Sequence, residues 1–282
     1  MNIAIFCNLD LESNIALNII ASHLTDHRLR FYVSKQVGAP ASDVRPLQQL
    51  AYLEKEFILD KLFPHLESND SGGYLSFDQL SKKYNAPLQA LTSVTDEEII
   101  SDISSHQPDL FLSIRFGKIF KGKILSVPRL GIINLHSAIL PNYKGVLGTF
   151  RAFQNKDEEI GTTIHFIDDN TIDTGKVINI NRMPITSGRS ILWHIINLYL
   201  PGCEALIGVV NKLNSGTRVS SLNQKQGGVY YSFPSQSDFD EIETRGIRLF
   251  DVGEYATILN QFYKIDSAWV VKNLDHRRIS SL

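Results

Sequence analysis

The sequence GIINLHSAILPNYKG, residues 131–145, decides the fold and the site of this chain. Its apolar start, Gly131 to Leu135, predicts a strand buried on both faces, because such strands read as continuous apolar runs. The Pro- and Gly-containing remainder predicts a loop. Side chains two residues apart in a strand share one face, so Asn134 and His136 lie on the same side. The stretch therefore predicts a buried strand that presents an amide and an imidazole at one edge of a sheet.

Strand and helix patterns alternate on either side of this stretch. Further strands are predicted at Ile3 to Cys7, Leu29 to Val33, Leu110 to Ile114, Thr162 to Ile167 and Lys176 to Ile180. Helices are predicted at Ser13 to Ala21, Pro46 to Phe63, Phe77 to Tyr84, Asp96 to Ser105 and Ser190 to Leu213, the last bent near Pro201. Pro64 is expected to end the second helix, and Thr95 to cap the fourth. The alternation predicts an α/β fold with a Rossmann-like, mostly parallel sheet and helices on both faces.

Composition and charge limit the classes of partner. Lys and Arg total 28 against 30 Asp and Glu, which gives a formal net charge of -2. Because nucleic-acid binding depends on Lys and Arg contacts to phosphates, this balance argues against nucleic acid as a partner. The two cysteines, Cys7 and Cys203, predict buried thiols rather than a disulfide. The start of the chain lacks a signal-peptide pattern, and no apolar run approaches about 20 residues, so a cytoplasmic protein without a membrane span is expected.

A second polar segment is predicted to meet Asn134 and His136 at the same sheet edge. Residues Ile167 to Gly175 form an acidic loop between two predicted strands and contain Asp173. In parallel sheets, ligands bind at the carboxyl ends of the strands. An amide, an imidazole and a carboxylate that meet there can stabilise an oxyanion and move protons, which suits acyl transfer or hydrolysis without a covalent nucleophile. A structural His and a solvated acidic loop are the alternative interpretations of these residues.

The order and spacing of several motifs resemble the folate-dependent formyltransferase family. The matching segments are Asn134 to Ser137, Leu140-Pro141, Tyr143 with Gly145, Gly161 to Phe166 and Ile172 to Gly175, and upstream Ala86 to Leu88, Pro108 to Leu110, Phe116-Gly117 and Val127 to Gly131. The resemblance covers residues 76–200 well and the first strands in pattern. One departure is Ser137-Ala138, where the family often has Pro-Ser. A Pro there would stiffen the turn without touching the reacting groups.

The resemblance implies a mechanism and a co-substrate. An acceptor amine attacks the formyl carbon of 10-formyltetrahydrofolate, and Asn134 and a protonated His136 donate hydrogen bonds to the oxygen that becomes charged. Asp173 keeps His136 charged and helps to remove the amine proton through water. His165, on the next strand, is left outside this catalytic set, because a structural hydrogen bond explains it equally well. No metal is expected, since the acidic loop lacks the Gly and Glu of a calcium loop.

The resemblance also implies which segments hold the folate. Two loops supply most of the contacts through their backbones, and Leu140 is expected to wall the pocket. The predicted folate-binding residues are Phe116, Gly117, Lys118, Ile119, Phe120, Leu140, Ile167, Asp168 and Asp169. Residues 1–205 are expected to be the formyltransferase catalytic domain. Residues 206–282 are expected to be a small C-terminal α+β extension, with a strand-like run from Gly228 to Phe233, that serves dimerisation or substrate binding.

The acceptor is expected to be the primary amine of a nucleotide-linked sugar. Glycinamide ribonucleotide enzymes carry a glycine-rich phosphate turn after the first strand, whereas this chain has Asp10 and Glu12 there, which repel phosphate. Methionyl-tRNA enzymes carry a C-terminal barrel of about a hundred residues, for which the remaining stretch is short. The alternatives are a methionyl-tRNA formyltransferase-like enzyme, formylation of another small amine and a non-catalytic folate-binding relative. A homodimer packed through Tyr230 and Tyr231 is also expected.

Replacing Gly117 with Val should weaken folate binding. A branched side chain at this position crowds backbone that has to approach the folate ring closely. Calorimetric titration of the folded Gly117→Val protein with the folate measures the effect. An unchanged dissociation constant would place the folate pocket elsewhere in the chain.

Overall fold

The computed structural model describes residues 1–34, 43–69 and 71–280. Its strands are β1 (Asn2–Asn8), β2 (Arg28–Ser34), β3 (Leu88–Ala90), β4 (Leu110–Ile114), β5 (Ile132–His136), β6 (Tyr143–Gly145), β7 (Glu159–Phe166), β8 (Val177–Pro184) and β9 (Val229–Tyr231). Seven of them form one sheet of order β3-β2-β1-β4-β5-β7-β8. The first five of these are parallel, whereas β7 is antiparallel to β5 and β8 to β7. The predicted Rossmann-like, mostly parallel α/β sheet is confirmed.

Twelve helices surround this sheet in the part of the chain that the structure describes. They are α1 (Leu11–His23), α2 (Arg45–Ala51), α3 (Phe63–Ser68), α4 (Phe77–Lys83), α5 (Glu97–Ser105), α6 (Gly148–Gln154), α7 (Ile191–Asn197), α8 (Tyr199–Asn214), α9 (Gln236–Thr244), α10 (Val252–Tyr263), α11 (Ser267–Asn273) and α12 (His276–Ile279). Two π-helical turns, Tyr52–Glu56 and Ile58–Leu62, join α2 to α3. A 3-10 turn covers Gly122–Ser126.

Both faces of the sheet are covered, because the central strands are apolar on both sides. Ile3, Ile5 and Cys7 of β1 belong to the larger buried cluster, together with residues of α1, α8 and α10. The alternating Ala4 and Phe6 belong to a second cluster on the other face. This arrangement is the one expected of strands that read as continuous apolar runs.

Two expectations about helix ends are wrong. Pro64 does not end a helix; it lies in the first turn of α3, and the helix continues to Ser68. In the preceding π turn the Phe63 N–H bonds to the Ile58 carbonyl five residues back. This wider turn accommodates a proline, which lacks an N–H and clashes with the carbonyl four residues back in a regular α-helix.

The start of α5 also differs from the expectation. The helix begins after Asp96 rather than after Thr95, and the Asp96 side chain makes no capping hydrogen bond. The Ser93 hydroxyl accepts instead from the backbone N–H groups of Thr95 and Asp96. A serine turn just before the helix therefore takes the place of the predicted Thr cap, which is a common use of serine at such positions.

The C-terminal helices share the main core of the fold. Tyr255, Leu259 and Tyr263 of α10 are almost completely buried in the same cluster as β1 and α1. The Tyr263 hydroxyl donates to Asn14 Oδ1 at 2.7 Å, which ties α10 to α1. The predicted boundary between residues 205 and 206 falls inside α8, which continues without a break to Asn214.

The helical stretch Ile191–Asn214 is both long and apolar. It is long and apolar enough to cross a membrane by length and composition, but 61% of its most apolar 18 residues is buried inside the fold. Such burial is typical of a core helix, and Tyr199 and Cys203 in this stretch are fully buried. Cys7 is equally buried, and burial raises the pKa of both thiols above the ordinary value. The expectation of two buried, unpaired thiols is confirmed.

Truncating Leu259 to Ala should lower the free energy of unfolding by about 2–5 kcal/mol, because it leaves a cavity in the main core. The exposed Gln261 on the same helix provides the matched control, and Gln261→Ala should change stability by less than about 0.5 kcal/mol. Urea unfolding of both variants measures the difference. Equal stability of the two would mean that α10 is not part of the cooperative core.

Candidate active site

Strands β5 and β7 and the loop after β7 bring four polar residues together at one end of the sheet: Asn134, His136, His165 and Asp173. Their antiparallel register pairs Asn134 with His165 and His136 with Thr163. Ile133 and Leu135 face the larger core cluster, so Asn134 and His136 face the opposite side. Asp173 reaches the same place from the loop between β7 and β8. The structure therefore brings together the three residues predicted to form the catalytic centre and adds His165.

Asp173 lies between two imidazole rings. Its Oδ1 is 3.5 Å from His136 Nδ1 and 3.5 Å from His165 Nε2. Its Oδ2 accepts a hydrogen bond of 2.8 Å from the Gly145 N–H at the end of β6. Burial opposes ionisation, but His136, His165 and the Gly145 N–H outweigh it and lower the pKa of Asp173 to about 2. Asp173 is therefore an anion throughout the neutral pH range.

The loop that carries Asp173 has a constrained backbone. Asp173 has a φ of +55°, in the left-handed region that non-glycine residues rarely adopt. Two residues later, a Cβ on Gly175 would lie 1.7 Å from the Phe166 carbonyl oxygen. Glycine is therefore required at position 175 for the loop to return against the end of β7, and this return aims the Asp173 side chain at the two histidines.

His136 is oriented by contacts on both sides of its ring. Its Nε2 lies 2.7 Å from the carbonyl oxygen of Tyr143, so this nitrogen carries a proton and donates. Its Nδ1 faces Asp173, at a distance beyond the usual range of hydrogen bonds of about 2.7–3.2 Å. The ring itself is 8% exposed and is held in place by protein groups. The Nδ1 side is thus the one that can meet a ligand.

His165 contacts both Asn134 and Asp173, a role that the sequence analysis did not assign to it. Its Nδ1 lies 2.8 Å from the Phe166 carbonyl oxygen and donates to it. In a neutral ring the Nε2 then accepts, and the Asn134 Nδ2 lies 3.1 Å away as its donor. This bond fixes the Asn134 amide and leaves the second proton of its Nδ2 unused by His165. In a charged ring the Nε2 carries a proton and faces Asp173. The sequence shows that His165 and Thr163 share one face of a strand. It does not show that this strand pairs with β5, which is what brings His165 to Asn134.

A cavity of about 620 Å³ adjoins these four residues, and Asn134, His136, His165 and Asp173 all line it. Of the predicted folate-binding residues, Phe116, Gly117, Lys118, Ile119, Phe120 and Ile167 also line the cavity. Leu140, Asp168 and Asp169 are absent from its lining. Leu140 is buried with its N–H bonded to Thr163 Oγ1, and the two aspartates lie on the exposed side of their loop.

The segment 116–120 is supported from below by aromatic packing. The Phe6 ring centroid is 5.3 Å from that of Phe116 and 5.1 Å from that of Phe120, both in edge-to-face arrangements. The Gly117 N–H donates to Ser34 Oγ at 2.9 Å. These contacts hold one wall of the cavity rigidly, as a binding surface made of backbone requires.

Two other segments contribute walls to the cavity. Leu47, Leu50, Ala51, Glu54 and Lys55 line the cavity from the helical stretch that begins with α2. Tyr230 and Phe233 line it from the segment that contains β9. No local pattern indicated a binding role for the first of these segments, which reaches the cavity through tertiary packing. The second belongs to the extension that was expected to serve dimerisation or substrate binding.

A buried cluster of charges lies beside the cavity around Arg115. The guanidinium is 2.8 Å from Asp10, 3.2 Å from Glu54 and 3.6 Å from Glu12. Burial raises the pKa of Glu12 well above its usual value, and the neighbouring Glu54 and Asp10 carboxylates add to this although Arg115 opposes it. Arg115 and Asp10 are both ionised and paired, so the Arg115 charge is already balanced within the protein.

Asp10 has a second function at the start of α1. Its Oδ1 accepts the Ser13 N–H at 2.9 Å and caps the helix. Burial opposes ionisation of Asp10, but Arg115 and Ser13 outweigh it and lower its pKa. The backbone donors at a helix start, which bind phosphate in many proteins, are therefore covered here by a carboxylate.

The sequence is similar to that of known proteins. Residues 71–191 match the sequence profile of the formyl transferase family. The methionyl-tRNA formyltransferase of Pseudoalteromonas translucida is 30% identical over 165 residues, which are 58% of this chain and 51% of that protein. The chain spans about half the length of the curated relatives it matches.

Solved structures share the fold. A sugar N-formyltransferase from a Shewanella species superposes with a TM-score of 0.56 and 15% identity, over 86% of this chain and 87% of that one. The phosphoribosylglycinamide formyltransferase of Anaplasma phagocytophilum superposes with a TM-score of 0.56 and 13% identity, over 83% of this chain and 99% of that one. At these identities the likeness concerns the fold.

Asp173→Asn and His136→Ala should each lower turnover with 10-formyltetrahydrofolate by at least about a hundredfold while folate binding stays nearly intact, because both groups are predicted to act on charge that develops during the reaction. Steady-state rates and calorimetric folate titrations measure the two quantities separately. Asp240→Asn, the same change on the exposed face of α9, is the control. Near-normal turnover of either site variant would remove that residue from the catalytic set.

Proposed function

We propose that this chain, which belongs to the folate-dependent formyltransferase family, moves the formyl group of 10-formyltetrahydrofolate to the primary amine of a small acceptor, a nucleotide-linked amino sugar. One observation carries the proposal. Asn134, His136 and Asp173, an amide, an imidazole and a carboxylate, meet on the wall of one cavity of about 620 Å³. That set provides both the donors and the proton acceptor that transfer of an acyl group to an amine requires.

Hydrogen-bond donors for the formyl oxygen come from β5. The folate supplies a formyl carbon bound to a nitrogen; the new bond joins this carbon to the acceptor amine, and the old carbon–nitrogen bond breaks. The oxygen gains negative charge as the amine attacks. The free Nδ2 proton of Asn134 and the Nδ1 proton of a charged His136 donate to it, contacts worth about 3 kcal/mol of barrier in comparable sites.

Proton transfer is assigned to Asp173. The acceptor amine loses one proton and the departing folate nitrogen gains one, so the reaction needs no net acid or base. Asp173 is ionised, with a pKa of about 2, and balances the charge of His136 while it accepts the amine proton through a water molecule. His165 holds Asn134 and faces the same carboxylate, so we assign it the positioning of both groups.

The apolar part of the cavity suits the folate ring. Phe116, Phe120 and Ile167 form a wall whose backbone is fixed by the packing beneath it. Ile119 and Ile172 on two different loops also line the cavity and are 50% and 36% exposed. An exposed apolar pair at a cavity fits a flat aromatic ring that buries them when it binds. We therefore place 10-formyltetrahydrofolate against these residues, with no metal.

The acceptor side of the cavity disfavours a phosphate at the start of α1. Asp10 already occupies the helix N-terminus, and Glu54 adds a further carboxylate to the cavity wall. The charge of Arg115 is balanced by these groups. A phosphate placed there meets repulsion from Asp10 and gains no unpaired donor. This geometry weighs against glycinamide ribonucleotide as the acceptor.

Three observations favour a sugar nucleotide over tRNA. The net charge is -2, whereas tRNA binding draws most of its affinity from Lys and Arg contacts to phosphates. Residues 236–279 form four helices that carry Asp238, Asp240, Glu241 and Glu243, and they do not form a barrel. The Tyr230 ring lines the cavity and offers an aromatic face for a nucleotide base.

Methionyl-tRNA is the second candidate acceptor. The curated relatives reported above are methionyl-tRNA formyltransferases, at 30% identity over 165 residues for the one from Pseudoalteromonas translucida.

The homodimer and the cytoplasmic location stay predictions. The dimer is supported by β9, where Val229 and Tyr230 are 52% and 56% exposed.

Purified protein should formylate at least one nucleotide-linked amino sugar and leave charged initiator tRNA unmodified, because the cavity suits a small acceptor and the surface lacks a basic excess. Release of tetrahydrofolate, followed for a panel of amino-sugar nucleotides and for methionyl-tRNA at the same folate concentration, measures this. The Asp173→Asn protein is the background control. Efficient formylation of the tRNA, with no activity on any sugar nucleotide, would contradict the proposal that the acceptor is a nucleotide-linked amino sugar.

A further inference from the structure

The segment 222–231, here called the strap, crosses the outside of the active site. Leu222 forms a backbone bridge with Val177 at the start of β8, with hydrogen bonds of 2.8 Å in both directions. At its other end β9 pairs in parallel with β6, the strand that carries Tyr143 and Gly145. The strap therefore contacts both backbone segments that hold the catalytic side chains: β8, which follows the loop of Asp173, and β6, whose Tyr143 carbonyl accepts from His136.

Gly228, one of two glycines in the strap, allows a very close approach to the loop after β5. Gly228 has a φ of +80°, and a Cβ there would lie 1.8 Å from the Pro141 carbonyl oxygen. The Val229 N–H donates to the neighbouring Asn142 carbonyl. Such an approach is open to glycine alone, so the sequence specifies that the strap lies against this loop.

Gln224 is the side chain through which the strap reaches Asp173. Its Nε2 donates to the backbone carbonyl of Asp173 at 2.8 Å and to that of Gly175 at 2.9 Å. Both neighbours are acceptors, which decides the orientation of the amide: the nitrogen has to face the loop. The Gln224 side chain therefore binds the carbonyls on both sides of Thr174.

We propose that Gln224 is a positioning residue for the formyl transfer, one that sets the Asp173 carboxylate between His136 and His165; this inference rests on the proposed function. Asp173 has the left-handed φ of +55°, a conformation that persists where surrounding contacts hold it. The Gly145 N–H holds the carboxylate end, and Gln224 holds the backbone end of the same residue. Without Gln224 the carboxylate loses the fixed geometry toward the two imidazole rings.

The first test compares three variants. Gln224→Met keeps the length of the side chain and removes its donors, and Gln224→Glu keeps the shape and replaces the donor by an acceptor at neutral pH. Asn223→Leu makes a similar polar-to-apolar change one residue earlier, on an exposed side chain outside the catalytic cavity. We expect kcat of Gln224→Met to fall about ten- to a hundredfold, the usual cost of misplacing a catalytic group, with KM for the folate within about twofold.

The pH dependence separates positioning from simple packing. An ordinary Glu has a pKa of about 4.3, and one that faces two carbonyls has a higher value, since they stabilise its protonated form. Acidification from pH 8 toward pH 5.5 therefore returns a donor to Gln224→Glu, and its kcat relative to wild type should rise severalfold. The ratio for Gln224→Met should stay flat. Turnover of Gln224→Met equal to that of Asn223→Leu overturns the proposal.

A second measurement does not depend on activity. The Gly145 amide proton, bonded to Asp173 Oδ2, should exchange with solvent much faster in Gln224→Met than in wild type or Asn223→Leu, at equal global stability. If wild type transfers no formyl group, the proposed function fails while this comparison still decides the role of Gln224. Unchanged Gly145 exchange in both Gln224 variants overturns the positioning role, whatever the turnover.

Discussion

Asp173 lies buried between two imidazole rings, with its Oδ1 3.5 Å from His136 Nδ1 and from His165 Nε2 and its Oδ2 on the Gly145 N–H. A buried carboxylate is costly unless charges and donors surround it, so these contacts are what allow Asp173 to be ionised there. The same contacts require that β5, β6, β7 and the following loop meet at one point. The negative charge of Asp173 is therefore stable only when these four segments are correctly arranged.

The ratio of acidic to basic groups differs between the two charged clusters at the cavity, around Asp173 and around Arg115. Around Asp173 one carboxylate faces two rings that can carry positive charge, and its pKa is lowered to about 2. Around Arg115 three carboxyl groups share one guanidinium, and burial together with its acidic neighbours raises the pKa of Glu12 instead. The first balance keeps Asp173 an anion beside both rings. The second leaves no free positive charge for a phosphate, which limits the acceptors that the cavity suits.

The C-terminal third of the chain belongs to the site as well as to the core. Helix α10 packs in the same cluster as β1 and α1, and Tyr263 bonds to Asn14. The segment around β9 binds the loop of Asp173 through Gln224 and lines the cavity with Tyr230. A division of the chain into a catalytic domain and an appendage thus separates residues that act on one cavity.

Local sequence determined the sheet, the residues at its edge and the segment 116–120 that forms one wall of the cavity. Apolar runs such as Ile3 to Cys7 specify buried strands whatever surrounds them, and the alternation in β5 places Asn134 beside His136. What the tertiary structure decided were contacts between segments distant in the chain, because hydrogen bonds and cavities depend on register and packing that no local pattern encodes. It paired His165 with Asn134 and brought Gln224 to Asp173 across 51 residues. It also buried Leu140 and left Asp168 and Asp169 in solvent, and it let a π turn carry the helix past Pro64.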